Sequence, residues 1–257
     1  MSGSKPIMRL LRLRGFPIFQ QLQVEERLLR DTQCNWCIIN DGTAPPSIVM
    51  GISGKPELLL DVRAVIQDQV PVIRRFSGGG TVIVNSDTVF VTIICNRDAV
   101  PNLSLYPHPI MRWTEQLYAP VFEGVPGFQL REHDYVLGSL KFGGNAQSII
   151  KNRWLHHTSF LWDYDNIQMQ YLKLPSRAPS YRLARPHGDF ICRLKDYLPS
   201  RDLFLQTIVS ALQVHFIVQG STIDDTGQNM PSKSPRTTKI LTSVQLDSFL
   251  TDCNPKV

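Results

Sequence analysis

The sequence contains no run of apolar residues long enough to cross a bilayer. A spanning helix needs about 20 consecutive apolar residues. Hydrophobic residues make up 42% of this 257-residue chain, yet no run of them approaches that length. Charged residues, at 19%, are also ordinary for a globular protein. We therefore expect a soluble globular protein that makes no contact with a membrane.

The chain also lacks a concentrated basic patch. Its net charge is +5 and its pI is near 9.0, but lysines and arginines are scattered. They are not interleaved with aromatic residues, as they are in many nucleic-acid-binding surfaces. We expect no nucleic-acid partner, and the modest positive excess favours an acidic partner or an anionic substrate.

Cysteines are few, and their number is odd. The five are Cys34, Cys37, Cys95, Cys192 and Cys253. With no secretory signal, this count is typical of free thiols in a reducing compartment. The pair Cys34 and Cys37 has zinc or redox spacing, but a zinc site needs a second pair of ligands that the sequence lacks. We expect buried thiols here and no tightly bound metal.

The first residues carry a basic bias without acids. Lys5, Arg9, Arg12 and Arg14 precede any Asp or Glu, which is the composition of an organelle transit peptide. However, residues 8–13 alternate as an opening edge strand, and residues 18–30 have helical spacing. Little sequence is left to be removed, so we predict no clear cleavable signal and no secretion.

Three consecutive glycines mark the most informative stretch. Gly78, Gly79 and Gly80 follow Arg74 and Arg75 and lie between two apolar, β-branched runs. Glycine has no Cβ, so the backbone can adopt positive φ and bring its N–H groups close to a ligand's oxygens. Arginine adds forked donors suited to carboxylate or phosphate. A tight hairpin with solvated arginines is the alternative for a triple glycine on its own.

A second motif begins at Lys141. The lysine leads a predicted turn that contains Gly143 and is followed by two histidines, His156 and His157. Adjacent residues of a strand point to opposite faces, so at most one of the two histidines can reach a pocket. The alternative for Lys141 is a surface lysine at a hairpin.

Together these motifs resemble the lipoate-protein ligase A family of the biotin and lipoate ligase superfamily. The residues that carry the resemblance are Arg74-Arg75-x-Ser77-Gly78-Gly79-Gly80-Thr81-Val82, Lys141-x-Gly143-x-x-Ala146-Gln147 and His156-His157-x-Ser159-x-Leu161. The likeness runs from about residue 8 to residue 216. It implies an α/β (α+β) fold with a mixed, largely antiparallel central sheet flanked by helices. The predicted strands, joined by both hairpins and helices, agree with such a sheet.

The resemblance also implies a reaction: ATP-dependent activation of lipoate, or octanoate, to acyl-AMP and transfer to a lysine. Lys141 would be the catalytic cation. Substrate or adenylate would bind at Arg74, Arg75, Ser77, Gly78, Gly79, Gly80, Thr81, Gly143, Ala146 and His157. Asp134 matches a family acid and is assigned to the metal side, beside Mg²⁺, or to the nucleotide side of the site, with a solvated turn aspartate as the alternative. ATP and Mg²⁺ would be co-substrates. The acceptors would be lipoyl domains of 2-oxoacid dehydrogenase complexes and the glycine cleavage H protein.

Two departures from the family pattern bear on this site. Ile52 stands where relatives usually have a basic residue. Val84 and Asn85 stand where many relatives have His-Asp. At residue 52 one ligand contact that the resemblance implies lacks its basic side chain, and any polar role of the His-Asp pair is lost or moved to other residues.

We predict two regions, a catalytic domain over residues 1–218 and a polar linker with a short C-terminal segment over 219–257. Such a chain is too short for the family's accessory domain. Short members recruit a separate accessory subunit, ligate without one, or transfer acyl groups between carrier proteins.

A transferase needs a reactive cysteine. Cys95 and Cys192 are the candidates, but neither adjoins the motifs, which favours ligation. A catalytically silent lipoyl-binding protein is the third hypothesis. The compartment would be mitochondrial in a eukaryote and cytoplasmic in a bacterium.

Periodicity predicts the remaining elements that position the site. It indicates a helix over 56–67, a hairpin of strands 81–85 and 89–95 around residues 85–87, and helices over 109–122 and 203–216. Residues 163–169 and 172–199 are predicted to form an extended, positively charged segment. It would contribute to docking an acidic carrier domain, with a solvated loop as the alternative.

Overall fold

The structure is a computed structural model that describes residues 4–175, 177–227 and 234–251. Residues 1–3 and Cys253, as well as parts of the predicted C-terminal segment, lie outside these ranges. Within the described ranges, no helix is both long and apolar enough to span a membrane.

Eight strands form a large mixed sheet. In spatial order they are β11 (Ile217–Ser221), β1 (Ile7–Arg14), β2 (Asn35–Asp41), β6 (Thr88–Asn96), β10 (Arg153–Leu161), β9 (Leu140–Ile150), β8 (Asp134–Leu137) and β7 (Phe128–Arg131). The pairs that β1 makes with β11 and β2 are parallel, and the other five pairs are antiparallel. The predicted mixed, largely antiparallel sheet is confirmed.

A second, smaller sheet carries the glycine loop. Its order is β12 (Lys239–Ile240), β4 (Val72–Arg74), β3 (Ser47–Met50) and β5 (Thr81–Val84). Because β4 and β5 flank β3 in space, residues 75–80 cross from one side of β3 to the other. The small sheet therefore fixes both ends of the glycine loop.

Helices cover both sheets. They are α1 (Ile18–Asp31), α2 (Pro56–Leu59), α3 (Val62–Gln67), α4 (Pro107–Tyr118), α5 (His187–Phe190), α6 (Arg201–His215) and α7 (Ser243–Thr251). Short 3-10 turns occupy Ala119–Phe122, Ile167–Tyr171, Ser180–Arg182, Leu194–Asp196 and Asp224–Thr226. Helices α4 and α6 pack on one face of the large sheet, and α2, α3 and α7 border the small one.

Helix α1 joins the two sheets. Leu28 and Leu29 pack on the large sheet beside Trp36, whereas Ile18 and Leu22 pack with residues of the small sheet. All five side chains are at most 2% exposed, and each buried aliphatic side chain contributes about 1.5–3 kcal/mol of transfer free energy. The relative placement of the glycine loop and the large sheet therefore depends on α1.

Two predictions about strands are wrong. Strand β1 is not an edge strand, because β11 pairs with it in parallel register from Ile7 onward. Strands β5 and β6 do not form a hairpin, because β5 pairs with β3 and β6 pairs with β2 and β10. Asn85 does supply the expected turn chemistry: its Oδ1 accepts from the Asp87 N–H at 2.8 Å. Here, however, the turn moves the chain between sheets.

The predicted helix over 56–67 is interrupted. Helix α2 ends at Leu59, and Leu60 is extended and forms a bridge to Leu172. Asp61 then caps α3, because its carboxylate accepts from the Ala64 N–H at 3.1 Å. A strong N-cap residue in the middle of the apolar pattern starts a new helix.

The glycines after Lys141 lie in strand β9 instead of a turn. Gly143 pairs with Phe160 of β10, and a Cβ at Gly143 would meet the Tyr135 side chain at 3.2 Å and the Phe160 ring at 3.4 Å. At this position glycine therefore makes room for two aromatic rings; it does not turn the chain.

The C-terminal segment returns to the small sheet. Strand β12 pairs with β4, and Leu241 and Leu246 are buried among the side chains of α2, α3 and the small sheet. The carboxylate of Glu26 on α1 accepts from the N–H and hydroxyl groups of Thr237 and Thr238 at 2.8–3.1 Å. The domain boundary at residue 218 falls inside β11 and stays a prediction.

Candidate functional site

A cavity of about 640 Å³ lies beside the glycine loop. Strands β5, β9 and β10 contribute to its lining, and so do residues of the segment that follows β10. Apolar side chains such as Val49, Ile83 and Phe90 share the lining with the ionisable side chains of Asp134 and Lys141. Such a cavity suits a ligand with an apolar chain and a charged head.

Arg75 holds the glycine loop from inside the protein. Its side chain is buried, with the residue 4% exposed. Its Nε donates to Ser77 Oγ at 3.1 Å, and its Nη2 donates to the carbonyls of Gly78 and Gly80, both at 3.0 Å. Burial lowers the pKa of Arg75 to about 10, and the charge of Glu25 opposes that shift. The guanidinium thus shapes the loop through its carbonyls.

Gly79 is the loop position that requires glycine. Its φ is +114°, and a Cβ there would lie 2.6 Å from Arg75 Nη2 and 3.1 Å from the Asn145 carbonyl oxygen. Nearby, the Gly78 N–H donates to the Gln147 carbonyl of β9 at 3.2 Å. The loop is therefore fixed against the same strand that carries Lys141.

Lys141 and Asp134 form an ion pair at the cavity wall. The distance from Nζ to Oδ1 is 2.7 Å, and the other carboxylate oxygen accepts from the Tyr181 hydroxyl at 2.8 Å. A Cβ at Gly144 would lie 3.4 Å from Lys141 Nζ, so glycine leaves space around the ammonium. The lysine side chain keeps 23% of its surface exposed.

His157 reaches the cavity, and His156 points to the opposite face. His157 lines the cavity, and its Nδ1 lies 3.1–3.2 Å from the carboxylate oxygens of Glu25. His156 Nδ1 lies 2.9 Å from Gln147 Nε2. Burial, with a smaller contribution from the charge of His157, lowers the pKa of His156 to about 3. The prediction that the two rings separate across the strand is confirmed.

Glu25 is the central residue of a buried polar network. It is fully buried, and its Oε1 accepts from Gln21 Nε2 and Thr92 Oγ1, both at 2.7 Å. The same carboxylate faces His157 and acts electrostatically on Arg75. Helical spacing places Glu25 among apolar positions of α1, and a carboxylate on such a face was the available signal for this network.

The segment after β10 closes one side of the cavity. Lys173, Arg177 and Arg182 of this segment are among the lining residues. It is anchored to the turn before β8, where the Glu132 carboxylate accepts from the Tyr181 N–H at 3.3 Å. The positively charged segment predicted from the sequence therefore lines one side of the cavity.

Comparison with known families identifies the family to which this fold belongs. Residues 17–217 match the lipoyl protein ligase A/B catalytic domain. The chain belongs to this family. The match spans the glycine loop, Lys141 and the whole cavity.

The ligase relatives differ in how much of their length this chain covers. It is 24% identical to "Inactive lipoate--protein ligase 2" of Plasmodium falciparum, over 80% of this chain and 69% of that protein. It is 26% identical to "Probable lipoate-protein ligase A" of Mycoplasma genitalium, over 60% of this chain and 45% of that protein. The chain thus spans less than half of the Mycoplasma protein.

Solved ligase structures share the fold. A lipoate-protein ligase A bound with ATP aligns with a TM-score of 0.70 and 16% identity, covering 90% of this chain and 97% of that one. A bi-partite lipoate protein ligase from Thermoplasma acidophilum aligns with a TM-score of 0.70 and 18% identity, covering 87% and 90%. At these identities the likeness establishes the lipoate ligase fold alone.

Most of the residues expected from the ligase resemblance meet at one place. Those that line the cavity are Arg75, Gly78, Gly79, Gly80, Thr81, Asp134, Lys141, Ala146 and His157. Arg74, Ser77 and Gly143 lie outside this lining. Arg74 Nη1 instead donates to the carbonyls of Ile52 and Gly54 at 3.0 and 2.6 Å, so its contacts support the backbone beside the glycine loop.

Two residues of the segment after β10 were not predicted as site residues. Arg182 lines the cavity, and the Tyr181 hydroxyl binds the carboxylate that pairs with Lys141. Neither belongs to a recognisable motif. The available signal was the number of lysines and arginines in the predicted positively charged segment. It indicates a charged surface but does not single out one residue.

The two departures from the family pattern have structural roles. Val84 is 1% exposed and packs with Ile18 and Leu22 of α1. Asn85 Nδ2 donates to Gln168 Oε1 at 2.9 Å, across to the segment that follows β10. Ile52 contributes its carbonyl to Arg74, while the residue is 48% exposed.

The buried thiols are poorly placed for acyl transfer. Cys37, Cys95 and Cys192 are buried, and no cysteine of the described ranges lines the cavity. The Cys192 N–H donates to the Lys141 carbonyl at 2.9 Å, but its Sγ lies 3.8 Å from the Leu140 carbonyl. Burial raises the pKa of Cys192 to about 12. The backbone of Cys192 is therefore hydrogen-bonded to that of Lys141, but its thiol lies outside the cavity lining and its raised pKa disfavours the reactive thiolate.

The described side chains around Asp134 also bear on whether the site could ligate a metal. Among the described residues there is no group of three His, Cys, Asp or Glu side chains that could hold a metal ion. Both oxygens of Asp134 already accept from other groups, Lys141 and Tyr181. Because a carboxylate offers about four lone-pair sites, these two contacts leave acceptor capacity on Asp134, and its role beside Mg²⁺ stays a prediction.

Proposed function

We propose that this chain is an ATP-dependent lipoate-protein ligase. It would activate lipoate or octanoate as acyl-AMP and transfer the acyl group to a lysine of a lipoyl domain. The observation that carries the proposal is the Lys141 ammonium, held by Asp134 at the wall of a partly apolar cavity beside the glycine loop.

The first step requires two anions to approach each other. A carboxylate and an α-phosphate about 4 Å apart repel by about 4 kcal/mol at an effective dielectric constant of about 20. Lys141 offsets this repulsion if its ammonium exchanges Asp134 for oxygens of the two substrates. The carboxylate oxygen then attacks the α-phosphorus, and pyrophosphate leaves. No protein nucleophile is needed.

The second step transfers the acyl group. The acceptor lysine's amine attacks the acyl carbon of the mixed anhydride, an amide forms and AMP leaves with the bonding electron pair. The proton lost by the amine passes to solvent or to AMP. The cavity wall formed by the segment after β10 would keep water from the anhydride in the meantime.

Names of the structural neighbours support the choice of ligands. One neighbour is described with bound ATP, and another, from Thermoplasma acidophilum, with bound lipoic acid. A third is described as bi-partite and is paired with an E2 lipoyl domain. We propose ATP with Mg²⁺ and lipoate as substrates and lipoyl domains, including the glycine cleavage H protein, as acceptors. A separate accessory subunit belongs to the same proposal, as does a mitochondrial or cytoplasmic location.

A second candidate is a catalytically silent lipoyl-binding protein. It is favoured by one observation, the word "inactive" in the name of the Plasmodium relative. Acyl transfer through a cysteine has less support, because the described thiols are outside the cavity.

The deciding experiment is exchange of radiolabelled pyrophosphate into ATP with lipoate or octanoate. We expect exchange by the wild-type protein and a loss of at least about 100-fold in Lys141→Ala, since a preorganised charge contributes about 3 kcal/mol or more. Lys151→Ala, which removes an exposed lysine of the β9–β10 turn, is the matched control. Lipoate binding without exchange, even after addition of an apo lipoyl domain, would identify the silent protein instead.

A further inference from the structure

Arg182 carries a buried donor without a partner. The residue is 4% exposed and lines the cavity. Its Nε donates to the Arg185 carbonyl at 2.9 Å, while its buried Nη2 has no hydrogen-bond partner among the described residues. Buried polar groups are almost always hydrogen-bonded, so an exception at a cavity wall indicates a ligand.

The position of this guanidinium is fixed. Its central carbon lies 4.6 Å from the centroid of the Phe190 ring, and its Nε bond holds the turn that includes Arg185. Burial lowers the pKa of Arg182, and the charge of Asp134 opposes that shift. Asp134 acts on Arg182 through its charge, while its two oxygens accept from Lys141 and Tyr181.

The charges around the cavity favour a polyanion. Five lysine and arginine side chains line it against two carboxylates, Glu132 and Asp134. Three of the five, Lys173, Arg177 and Arg182, come from the single segment after β10. A monocarboxylate such as lipoate needs one cation, whereas a nucleotide presents several phosphoryl oxygens, which the planar fork of arginine fits.

We propose that Arg182 Nη2 donates to a phosphoryl oxygen of the bound nucleotide, so that the segment after β10 supplies an anion subsite. This inference rests on the proposed function. The subsite is distinct from the glycine loop, whose arginine is already engaged by the carbonyls of Gly78 and Gly80.

The test compares adenosine with AMP by calorimetry. We expect wild-type protein to bind AMP more tightly than adenosine. Arg182→Met should reduce the affinity for AMP by about 10-fold to 100-fold, the usual effect of losing a hydrogen bond to a charged group. Its affinity for adenosine should stay within about 2-fold of the wild-type value, because the lost donor contacts phosphate alone. Arg182→Lys should recover part of the loss, and Arg63→Met, at an exposed arginine of α3, serves as the control.

Other outcomes overturn the inference. Equal losses for adenosine and AMP would show that Arg182 shapes the segment and does not contact phosphate. A loss of affinity for octanoate but not for AMP would assign the guanidinium to the acid. Unchanged AMP binding in Arg182→Met, with pyrophosphate exchange intact in the wild type, would refute the subsite and leave the ligase proposal standing. Failure of the wild type to bind any nucleotide would refute both.

Discussion

Removing the buried carboxylate of Glu25 should destabilise the protein more than almost any other single polar substitution. The carboxylate is fully buried, and it satisfies Gln21, Thr92 and His157 at distances of 2.7–3.2 Å. Glu25→Ala leaves these groups without their acceptor and leaves the buried charge of Arg75 without its nearby anion. Breaking a buried charge network by removing one partner costs about 3–5 kcal/mol.

The variant Glu25→Gln separates the effect of the negative charge from the effects of side-chain volume and hydrogen bonding. Glutamine keeps the volume and one acceptor oxygen but removes the negative charge, so we expect a smaller loss of about 1–3 kcal/mol. The free energy of unfolding would be measured by urea denaturation, with fluorescence of the buried Trp36 and Trp154 as the signal. Glu123→Gln, at an exposed position, is the control and should stay within about 0.5 kcal/mol.

The order of the variants tests the reasoning. If the free energy of unfolding of Glu25→Ala lies within about 1 kcal/mol of the wild-type value, the network does not stabilise α1 against the large sheet. If Glu25→Gln is as damaging as Glu25→Ala, the loss comes from the charge alone, and the hydrogen-bond argument is wrong.

Three further predictions concern other parts of the structure. Gly79→Ala should lower the free energy of unfolding by about 1–3 kcal/mol because of its positive φ and the contact with Arg75, whereas Gly78→Ala, with open space at its Cβ, should unfold like the wild type in the same denaturation assay. His156 has a pKa of about 3 when folded and an ordinary value of 6.5 when unfolded, so only the unfolded state gains its proton between these values. Stability should therefore fall as the pH drops from about 6.5 towards 3, by up to about 1.4 kcal/mol per pH unit, and His156→Gln should flatten that slope; an unchanged slope would contradict the assignment. The three buried thiols should resist a thiol reagent at a pH of about 8 until the protein unfolds, as read by mass spectrometry of peptides containing Cys37, Cys95 and Cys192; rapid native labelling of Cys192 would reopen the transferase hypothesis.

Local sequence patterns predict the strands and helices well where one face is buried. The helices predicted over residues 18–30 and 203–216 are observed as Ile18–Asp31 and Arg201–His215. The pairing of the strands is less predictable, because it depends on distant segments. Strand β5 alternates like half of a hairpin, yet its partner is β3, and nothing in residues 81–96 records that choice.

The candidate site shows the same division. The glycine loop and Lys141 are visible as motifs, because their chemistry needs particular residue types in sequence. Arg182 is invisible at that level, since an arginine in a proline-rich segment is usually solvated. Only the tertiary structure places its guanidinium over Phe190 and in the lining of the cavity.

The parallel pairing of β1 with β11 has a consequence for biosynthesis. Strand β1 leaves the ribosome well before its partner, because Ile7 pairs with Ile217 and most of the catalytic fold is translated between them. At a translation rate of about 5–20 residues per second, the delay is roughly 10–40 s. During that time β1 presents an open edge, and Arg12, which is exposed, discourages pairing with other nascent chains. A basic residue within a segment that resembles a targeting signal would thus protect an unfinished sheet from aggregation.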